Sequence, residues 1–565
     1  MNRKNTMGGV IATDPANRPE QMQPTLAERD IEKILPYGEV KFVNEGEVLF
    51  DVGSQNTNFI VVLSGRLRIE TDRCEGVHTI VEHRRGNFSG EIDMFSNRRA
   101  VVRGVCREAG EMLFLDKQAF RKFLNNHADL SETIIRAFIL RRTGLIYHEH
   151  GDLILFGQKE SAKLLSLKSF LSRSGHPHQT IDIDENPDTA EKLYQAHGLV
   201  KSDLPVVIYT HDQVLKQPSL RDVADLLGLS QVSGTREVYD VAVVGVGPGG
   251  LAAAVNAAAE GLSVIALDQF SPGGQAGTSS KIENYPAFPT GISGQALSGR
   301  MMLQAQKFGT EIITPRYAVS LDCDNYPYCI ELEDGELIKA KAVVVASGAQ
   351  WRRLGLEHEE EMENAGVYYG ATAVEAALCE GQEVVIVGGG NSAGQAAVFM
   401  AQRTKHVHIL VRSDNLAASM SDYLIRRIEA DPNITLHVNT EVTALKCEDH
   451  LCGMTWTHTK TGVSSEKDIR HLFVMIGAIP NSDWLGECVM RDDRGFVKTG
   501  SDLPMDHLVS DTWHVNRMPY IGETSQPGVF AVGDIRSGSV KRVASAVGEG
   551  AIAAQFLYKV VNPQR

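Results

Sequence analysis

Residues Tyr239 to Gly274 read YDVAVVGVGPGGLAAAVNAAAEGLSVIALDQFSPGG, and this stretch decides the fold. The apolar run Val241–Val244 predicts a buried parallel strand, since a strand covered on both faces shows no polar alternation. Gly245-x-Gly247-x-x-Gly250 follows it directly and opens an Ala-rich helix. Each glycine removes a different obstruction. Gly245 permits the tight turn, Gly247 lets backbone approach a pyrophosphate, and Gly250 lets helix and strand pack closely. The N–H groups of the first helical turn are then aimed at phosphate. A second strand, Leu262–Leu267, ends at Asp268, whose carboxylate is placed to accept ribose hydroxyls. Strand, glycine loop, helix, second strand and terminal carboxylate in register predict a dinucleotide-binding α/β domain.

A second fingerprint lies downstream. The apolar strand Val384–Val387 runs into Gly388-x-Gly390-x-x-Ala393, with Asn391 and Ser392 between, and a helix follows. The next strand, Val407–Val411, ends at Arg412 and Ser413 instead of a carboxylate. Two such loops predict two dinucleotides. An arginine at the end of the second strand suits a 2′-phosphate, which favours NADPH over NADH here. The first loop then takes FAD.

Residues from about 237 to 565 resemble a low-molecular-weight thioredoxin reductase through "GVGPGG", "PGGQAGTSSKIENYPAFP", "VVIVGGGNSAGQAA", "VMIGAIPNSDWL" and "PGVFAVGDIRSGSVKRVASAVGEGAIAA", in the family's order. The resemblance implies a discontinuous FAD domain, 237–349 and 482–565, around an NAD(P)H domain, 350–481. It implies that Gly274, Gln275 and Asn284 line the flavin pocket. Gly533 and Asp534 would hold the ribityl and pyrophosphate region, and Val543 and Ala544, at a helix start, would face the isoalloxazine. A helix N-terminus there stabilises negative charge on the reduced ring. Gly348 and Gly477, on the return strands, complete the FAD and NADP sites, and the family implies a homodimer.

The departures concern sulfur. Thioredoxin reductases carry Cys-x-x-Cys shortly before the second glycine loop; here "GVYYGATAVEAALCEGQEVVIVGGG" places Gly370 and Ala373 at those positions. Without a thiolate to form a mixed disulfide, the family's reaction cannot run by its own mechanism. Gln395 also replaces a usual glutamate near the nicotinamide path. No catalytic side chain is assigned; chemistry would rest on positioning the nicotinamide against the flavin.

Residues 25–150 show short glycine-broken strands and then a helical tail, Lys117–Leu145, which predicts a β-barrel or jelly roll with helices. The segment is similar to a cyclic nucleotide-binding domain, with Gly53 and Gly65 at turns and "NFSGEIDMFSNRRAVV" as the phosphate-binding cassette. By that resemblance Gly90 and Glu91 meet the ribose, and Arg99, helped by Arg98, neutralises the cyclic phosphate of a nucleotide effector. Asp93, where a small residue is usual, puts negative charge at that place. Residues 151–230 resemble a glutaredoxin or thioredoxin fold, with Leu204-Pro205 at that fold's cis-proline position and no cysteine. Residues 1–24 read as a flexible arm.

The chain is therefore expected to be multidomain: jelly roll, thioredoxin-like α/β domain and two Rossmann-like α/β domains. At 565 residues it is too long for one core, and its net charge of −15 argues against nucleic acid and anionic membranes as partners. No apolar run approaches a spanning helix, and the N-terminus lacks a hydrophobic signal core, so a cytoplasmic location is expected. The eight cysteines are scattered, none in Cys-x-x-Cys or a metal-ligand spacing. Cys447 and Cys452 read as reduced thiols on a hairpin. The expected function is NADPH-dependent electron transfer through FAD to an acceptor not reached through an internal dithiol. The alternative is a non-catalytic redox or nucleotide sensor signalling to a partner by cofactor occupancy. A dithiol oxidase is disfavoured by the same missing cysteine pair.

Overall fold

The computed structural model describes residues 17–562 apart from 56, 74–75, 97, 150, 152, 159–160, 211–212, 233–235, 280–281, 283, 364, 372, 418, 448–449 and 511. Residues 1–16 of the expected arm and Cys74 lie outside the described residues. The chain forms two compact units, Met1–Gly348 with Ser482–Arg565, and Ala349–Asn481.

In the larger unit, strands Glu311–Ile313, Val264–Leu267, Tyr239–Val244 and Leu337–Val345 lie side by side in parallel, and Val529–Ala531 pairs parallel to the last. Tyr328–Leu332 and Ala318–Asp322 extend the sheet antiparallel. Val241 and Val243 are fully buried, each such side chain contributing roughly 1.5–3 kcal/mol of apolar burial. Helices Pro248–Ala259 and Val543–Val561 pack at bare backbone: a Cβ on Gly550 would meet the Gly249 carbonyl oxygen at 2.2 Å. The alanine-rich sequence serves this close approach.

The jelly roll consists of two four-stranded antiparallel sheets. One runs Glu39–Val43, Gly110–Leu115, Phe59–Val62, Phe88–Ser89; the other runs Val48–Phe50, Arg103–Glu108, Arg66–Arg73, Gly76–His83. Its core is aromatic, with Phe59 stacked on Phe120 at 4.5 Å between ring centroids. The expected single helical tail is two helices, Lys117–Asn126 and Ala128–Tyr147. The break is His127, whose φ of −129° and ψ of 79° leave the helical region. The arm is also not free where it is described: Pro19–Met22 is helical, and Arg141 donates to the Met22 carbonyl at 3.0 Å.

Residues 153–227 form a four-stranded sheet in the order Gln179–Asp182, Leu153–Gly157, Val206–Tyr209, Gln213–Lys216, with the first pair parallel and the others antiparallel. Helices Ala162–Arg173, Pro187–His197 and Leu220–Leu227 accompany it. The Leu204–Pro205 peptide is cis.

In the second unit, Val367–Tyr368, Leu472–Val474, Glu383–Val387, His406–Leu410 and Ile434–His437 form a parallel sheet. A separate antiparallel sheet carries Thr440–Cys447, Leu451–His458 and Ser464–Lys467. Cys447 and Cys452 are free thiols on that hairpin. Two cysteines read as scattered are paired: a disulfide joins Cys323 and Cys488, 165 residues apart. No spacing signal announced it. Among the described residues no helix is long and apolar enough to cross a membrane, and no group of three or more His, Cys, Asp or Glu could hold a metal ion.

Candidate functional site

The first glycine loop has the backbone its sequence demands. Gly245 sits at φ +105°, where a Cβ would meet the Ala346 carbonyl oxygen at 2.2 Å, and a Cβ on Gly250 would meet the Gly245 carbonyl at 1.9 Å. Gly247 is different. A Cβ there would meet nothing nearer than the Gly274 Cα at 3.8 Å. Gly247 and Gly274, the latter at φ +53°, therefore face each other as two bare backbones. Gly247 caps helix Pro248–Ala259 without a side-chain hydrogen bond, so the helix's first N–H groups are left for a ligand. Asp268, at the end of the second strand, accepts from the N–H groups of Val246 at 2.9 Å and Phe270 at 3.0 Å. Burial raises its pKa, and those N–H donors oppose the rise. Gln275 opens the short helix Gln275–Thr278, and Asn284 is exposed.

At the same carboxyl edge of the sheet, Gly348 adopts φ +69° just past strand Leu337–Val345, and Gly533 adopts φ +74° just past Val529–Ala531. The Gly533 N–H donates to Glu549 Oε2 at 2.7 Å, and Arg536 donates to Glu549 Oε1 at 2.7 Å. Glu549 thus fixes the turn that presents Asp534, whose carboxyl burial pushes upward in pKa. Val543 and Ala544 begin helix Val543–Val561, which has no side-chain cap.

The second unit repeats the device. Gly388 lies at φ +142°, with the Met475 carbonyl 2.4 Å from where its Cβ would be. Gly390 caps helix Asn391–Met400 without a side chain. Asn391 is locked, its Oδ1 accepting from the Ser421 N–H at 2.7 Å, while Ser392 is exposed and Ala393 buried. Arg412, beyond strand His406–Leu410, is exposed and has no hydrogen bond or ion pair to the described residues. Ser413 donates to the Asn415 carbonyl at 2.7 Å. Gly477, at φ +95°, accepts from the Arg352 N–H at 3.0 Å. Bare glycine cradles, uncapped helix starts, a half-buried carboxylate in one unit and, in the other, an arginine unpaired among the described residues fit two dinucleotides.

The model for pyridine nucleotide-disulphide oxidoreductases matches residues 239–550. The chain belongs to that family. The thioredoxin reductase of Bacillus subtilis is 32% identical over 58% of this chain and 96% of its own length. NADPH-dependent thioredoxin reductase 3 of Arabidopsis thaliana is 32% identical over 60% of this chain and 64% of its own length. A Bacillus subtilis NADH dehydrogenase is 29% identical over 58% of this chain and 60% of its own length. The chain thus spans less than two thirds of the plant reductase. A cyclic nucleotide-binding domain model matches residues 40–127. This pyridine nucleotide-disulphide oxidoreductase is thioredoxin reductase-like, FAD and NAD(P)H are the family's cofactors, and a cyclic nucleotide-binding domain lies on its N-terminal side.

Of the two residues expected at the family's dithiol positions, Gly370 lies in a loop and Ala373 begins the short helix Ala373–Leu378. In the jelly roll, Gly90 and Glu91 line a cavity, and neither Arg98 nor Arg99 is among the lining residues. Arg98 instead donates to the Ser174 carbonyl at 2.7 Å, beyond helix Ala162–Arg173. Glu91 and Asp93 are both ion-paired to Arg142 of helix Ala128–Tyr147. Neither of the two arginines expected to meet a cyclic phosphate lines the cavity, and Arg98 is taken by the Ser174 carbonyl of a neighbouring domain.

Sequence patterns missed a further group. Arg173 Nη2 donates to the Gly274 carbonyl at 2.7 Å, and Gln295 donates to the Ser172 carbonyl at 2.6 Å. Arg98 and Arg142 reach the next carbonyls, Ser174 and Gly175, at 2.7 and 3.4 Å. Residues 172–175 are thus held from the jelly roll on one side and from the flavin-type loop on the other.

Proposed function

We propose that this chain oxidises NADPH and delivers the electrons through FAD to an acceptor that meets the flavin directly. The observation that carries this reading is the pair of intact glycine cradles, taken with the absence of cysteine at Gly370 and Ala373, where the resemblance expects the dithiol. When bound, FAD supplies two-electron acceptance from the nicotinamide and onward transfer to the acceptor. The chain's own residues bind and orient. Gly247 and Gly274 leave room for a pyrophosphate, Asp268 accepts from a ribose, and Glu549 holds the Gly533–Asp534 turn. Arg412, exposed and unpaired among the described residues, supports NADPH over NADH, since its planar fork matches a 2′-phosphate.

The cysteine-free sheet domain with its cis Leu204–Pro205 is read as a thioredoxin-like fold retained for contact. Its contacts with the jelly roll and with Gly274 favour a second role: the N-terminal domains bias the flavin loop, and cofactor occupancy reports back to them.

Anaerobic mixing of the FAD-loaded protein with NADPH, and separately with NADH, tests the first reading through loss of flavin absorbance. Rapid bleaching by NADPH, with quinone turnover insensitive to a vicinal-dithiol trap such as arsenite, is the expected result. No bleaching by either nucleotide overturns the enzyme reading and leaves the sensor.

A further inference from the structure

The jelly-roll cavity is closed by a piece of chain from outside the barrel. Its lining residues lie within 50–102 or on helix Ala128–Tyr147, with two exceptions, Met22 and Gln23. With these two in its wall the cavity measures ≈ 80 Å³, against the roughly 300 Å³ at which small-molecule pockets begin. In this state it has no room for a nucleotide-sized ligand.

Arg141 holds the segment in place. It lines the cavity, is 8% exposed, and donates from Nε to the Met22 carbonyl at 3.0 Å and from Nη2 to Gln23 Oε1 at 2.9 Å. Its other acceptor is the Gly90 carbonyl at 3.4 Å, and Glu91, the carboxylate that acts on it, is itself ion-paired to Arg142. Met22 adds packing. A Cβ on Gly144 would meet the Met22 methyl carbon at 2.9 Å, so the bare backbone of that glycine is the seat of the Met22 side chain. The rest of the segment is weakly held. Pro19–Met22 is a four-residue helix without a side-chain cap, far below the length at which a helix stands alone, and Pro19, Glu20 and Gln21 are exposed. Just downstream the chain is fixed, the Leu26 N–H donating to the Gly86 carbonyl at 2.8 Å and Asn87 donating to Thr25 Oγ1 at 3.0 Å. Pro19–Gln23 therefore hangs from a fixed point and seats on one guanidinium and one glycine. The donors that Arg141 spends on these neutral oxygens are the donors an anionic ligand would need.

We propose that Pro19–Gln23 is an autoinhibitory plug. Seated, it shuts the jelly-roll cavity and occupies Arg141; displaced, it opens the cavity and releases the guanidinium to an anionic ligand. The apparent affinity of such a ligand is reduced by the fraction of chains whose plug is out. The device is independent of which acceptor the flavin serves.

Thiol access tests this on the full FAD-loaded chain. Ser89 lines the cavity and is 4% exposed, and Ser89→Cys places a near-isosteric thiol there. Alkylation by N-ethylmaleimide at position 89 is followed by peptide mass spectrometry, with the plug intact and with Met22→Gly and Gln23→Gly together. The sulfur adds across the maleimide double bond and the thiol proton passes to the neighbouring carbon, so no further reagent takes part. Loosening the plug is expected to speed labelling at position 89 about tenfold or more, the scale of a lost hydrogen bond from a charged donor. Cys106, 1% exposed in the same jelly roll and not among the lining residues, is the internal control and is expected to stay unlabelled. Equal rates at position 89 overturn the plug, and a parallel rise at Cys106 assigns the access to unfolding and overturns it too. Calorimetric titration of cyclic AMP, used as the anionic probe, into the chain with and without the two glycine substitutions gives a second arm. Affinity is expected to be about tenfold tighter with the plug loosened; equal affinity, or no binding by either chain, overturns the competition at Arg141. Both arms are read without turnover, so the result stands apart from the enzyme reading.

Discussion

Arg173, the last residue of its helix, donates to the carbonyl oxygen of Gly274 at 2.7 Å while its guanidinium carbon lies 5.0 Å from the Phe270 ring centroid. Gly274 is the glycine whose bare backbone faces Gly247. The cysteine-free domain therefore grips the loop expected to face the flavin pyrophosphate. A hydrogen bond from a charged donor is worth roughly 1.5–3 kcal/mol, so Arg173→Ala is expected to weaken FAD affinity by about tenfold. Flavin fluorescence on titration with FAD measures it. Affinity for NADPH, bound by the other unit, is expected to stay unchanged; an unaltered FAD affinity removes the grip from the account.

The two glycines of the first loop separate binding from folding. Gly250→Ala drives a Cβ to 1.9 Å from the Gly245 carbonyl, a backbone collision inside the fold, whereas Gly247→Ala meets no protein atom closer than 3.8 Å. Gly250→Ala is expected to lower the melting temperature of the apoprotein. Gly247→Ala is expected to leave that temperature near wild type and to lose FAD, because its methyl occupies the approach of the pyrophosphate. If both substitutions destabilise equally, Gly247 is a packing glycine and no cradle.

Arg412 is exposed and unpaired among the described residues, so its replacement costs the fold little. Arg412→Ser is expected to raise KM for NADPH about ten- to a hundredfold, the range of a charge-assisted contact to phosphate. KM for NADH is expected to change little. Steady-state flavin reduction with the two nucleotides decides it, and a parallel loss with both assigns Arg412 to general binding.

The glycine loops were legible because their constraint is local. Gly245, Gly250 and Gly388 are required by carbonyls that a side chain would strike, and the spacing appears in one short window. Asp268 and Arg412 were legible for the same reason, as strand-end positions. Glu549 and Arg173 were not, since their partners, Gly533 and Gly274, are 16 and 101 residues away and are backbone groups without sequence identity. The cassette named Arg98 and Arg99 but could not say where they point, and the Ser174 carbonyl that takes Arg98 belongs to another domain. The Cys323–Cys488 pair escaped because 165 residues separate its halves.

The second unit carries histidines whose titration sets its acid stability. Burial, then the neighbouring His437 and His406, lowers the pKa of His408 to about 4, and burial also lowers those of His437 and His471. Unfolded, each titrates near 6.5. As pH falls below about 6.5 the unfolded chain binds protons that the folded unit refuses, so stability is full above that value and declines until His408 itself protonates near 4. Glu383 and Asp414, held below the usual carboxylate range by Lys405 and Lys460, add loss of the same sign at still lower pH. His358 runs the other way. Its pKa is raised by Glu361, so its contribution is present below about 6.5 and fades as pH rises, but it is fully exposed to screening solvent. The three lowered histidines therefore set the sign. Urea unfolding of this unit, followed by fluorescence of its buried Trp456 beside His408 and His437, is expected to show a midpoint that drops between about pH 6.5 and 4. His408→Gln is expected to flatten that slope, since glutamine cannot take up the proton; an unchanged slope places the acid sensitivity elsewhere.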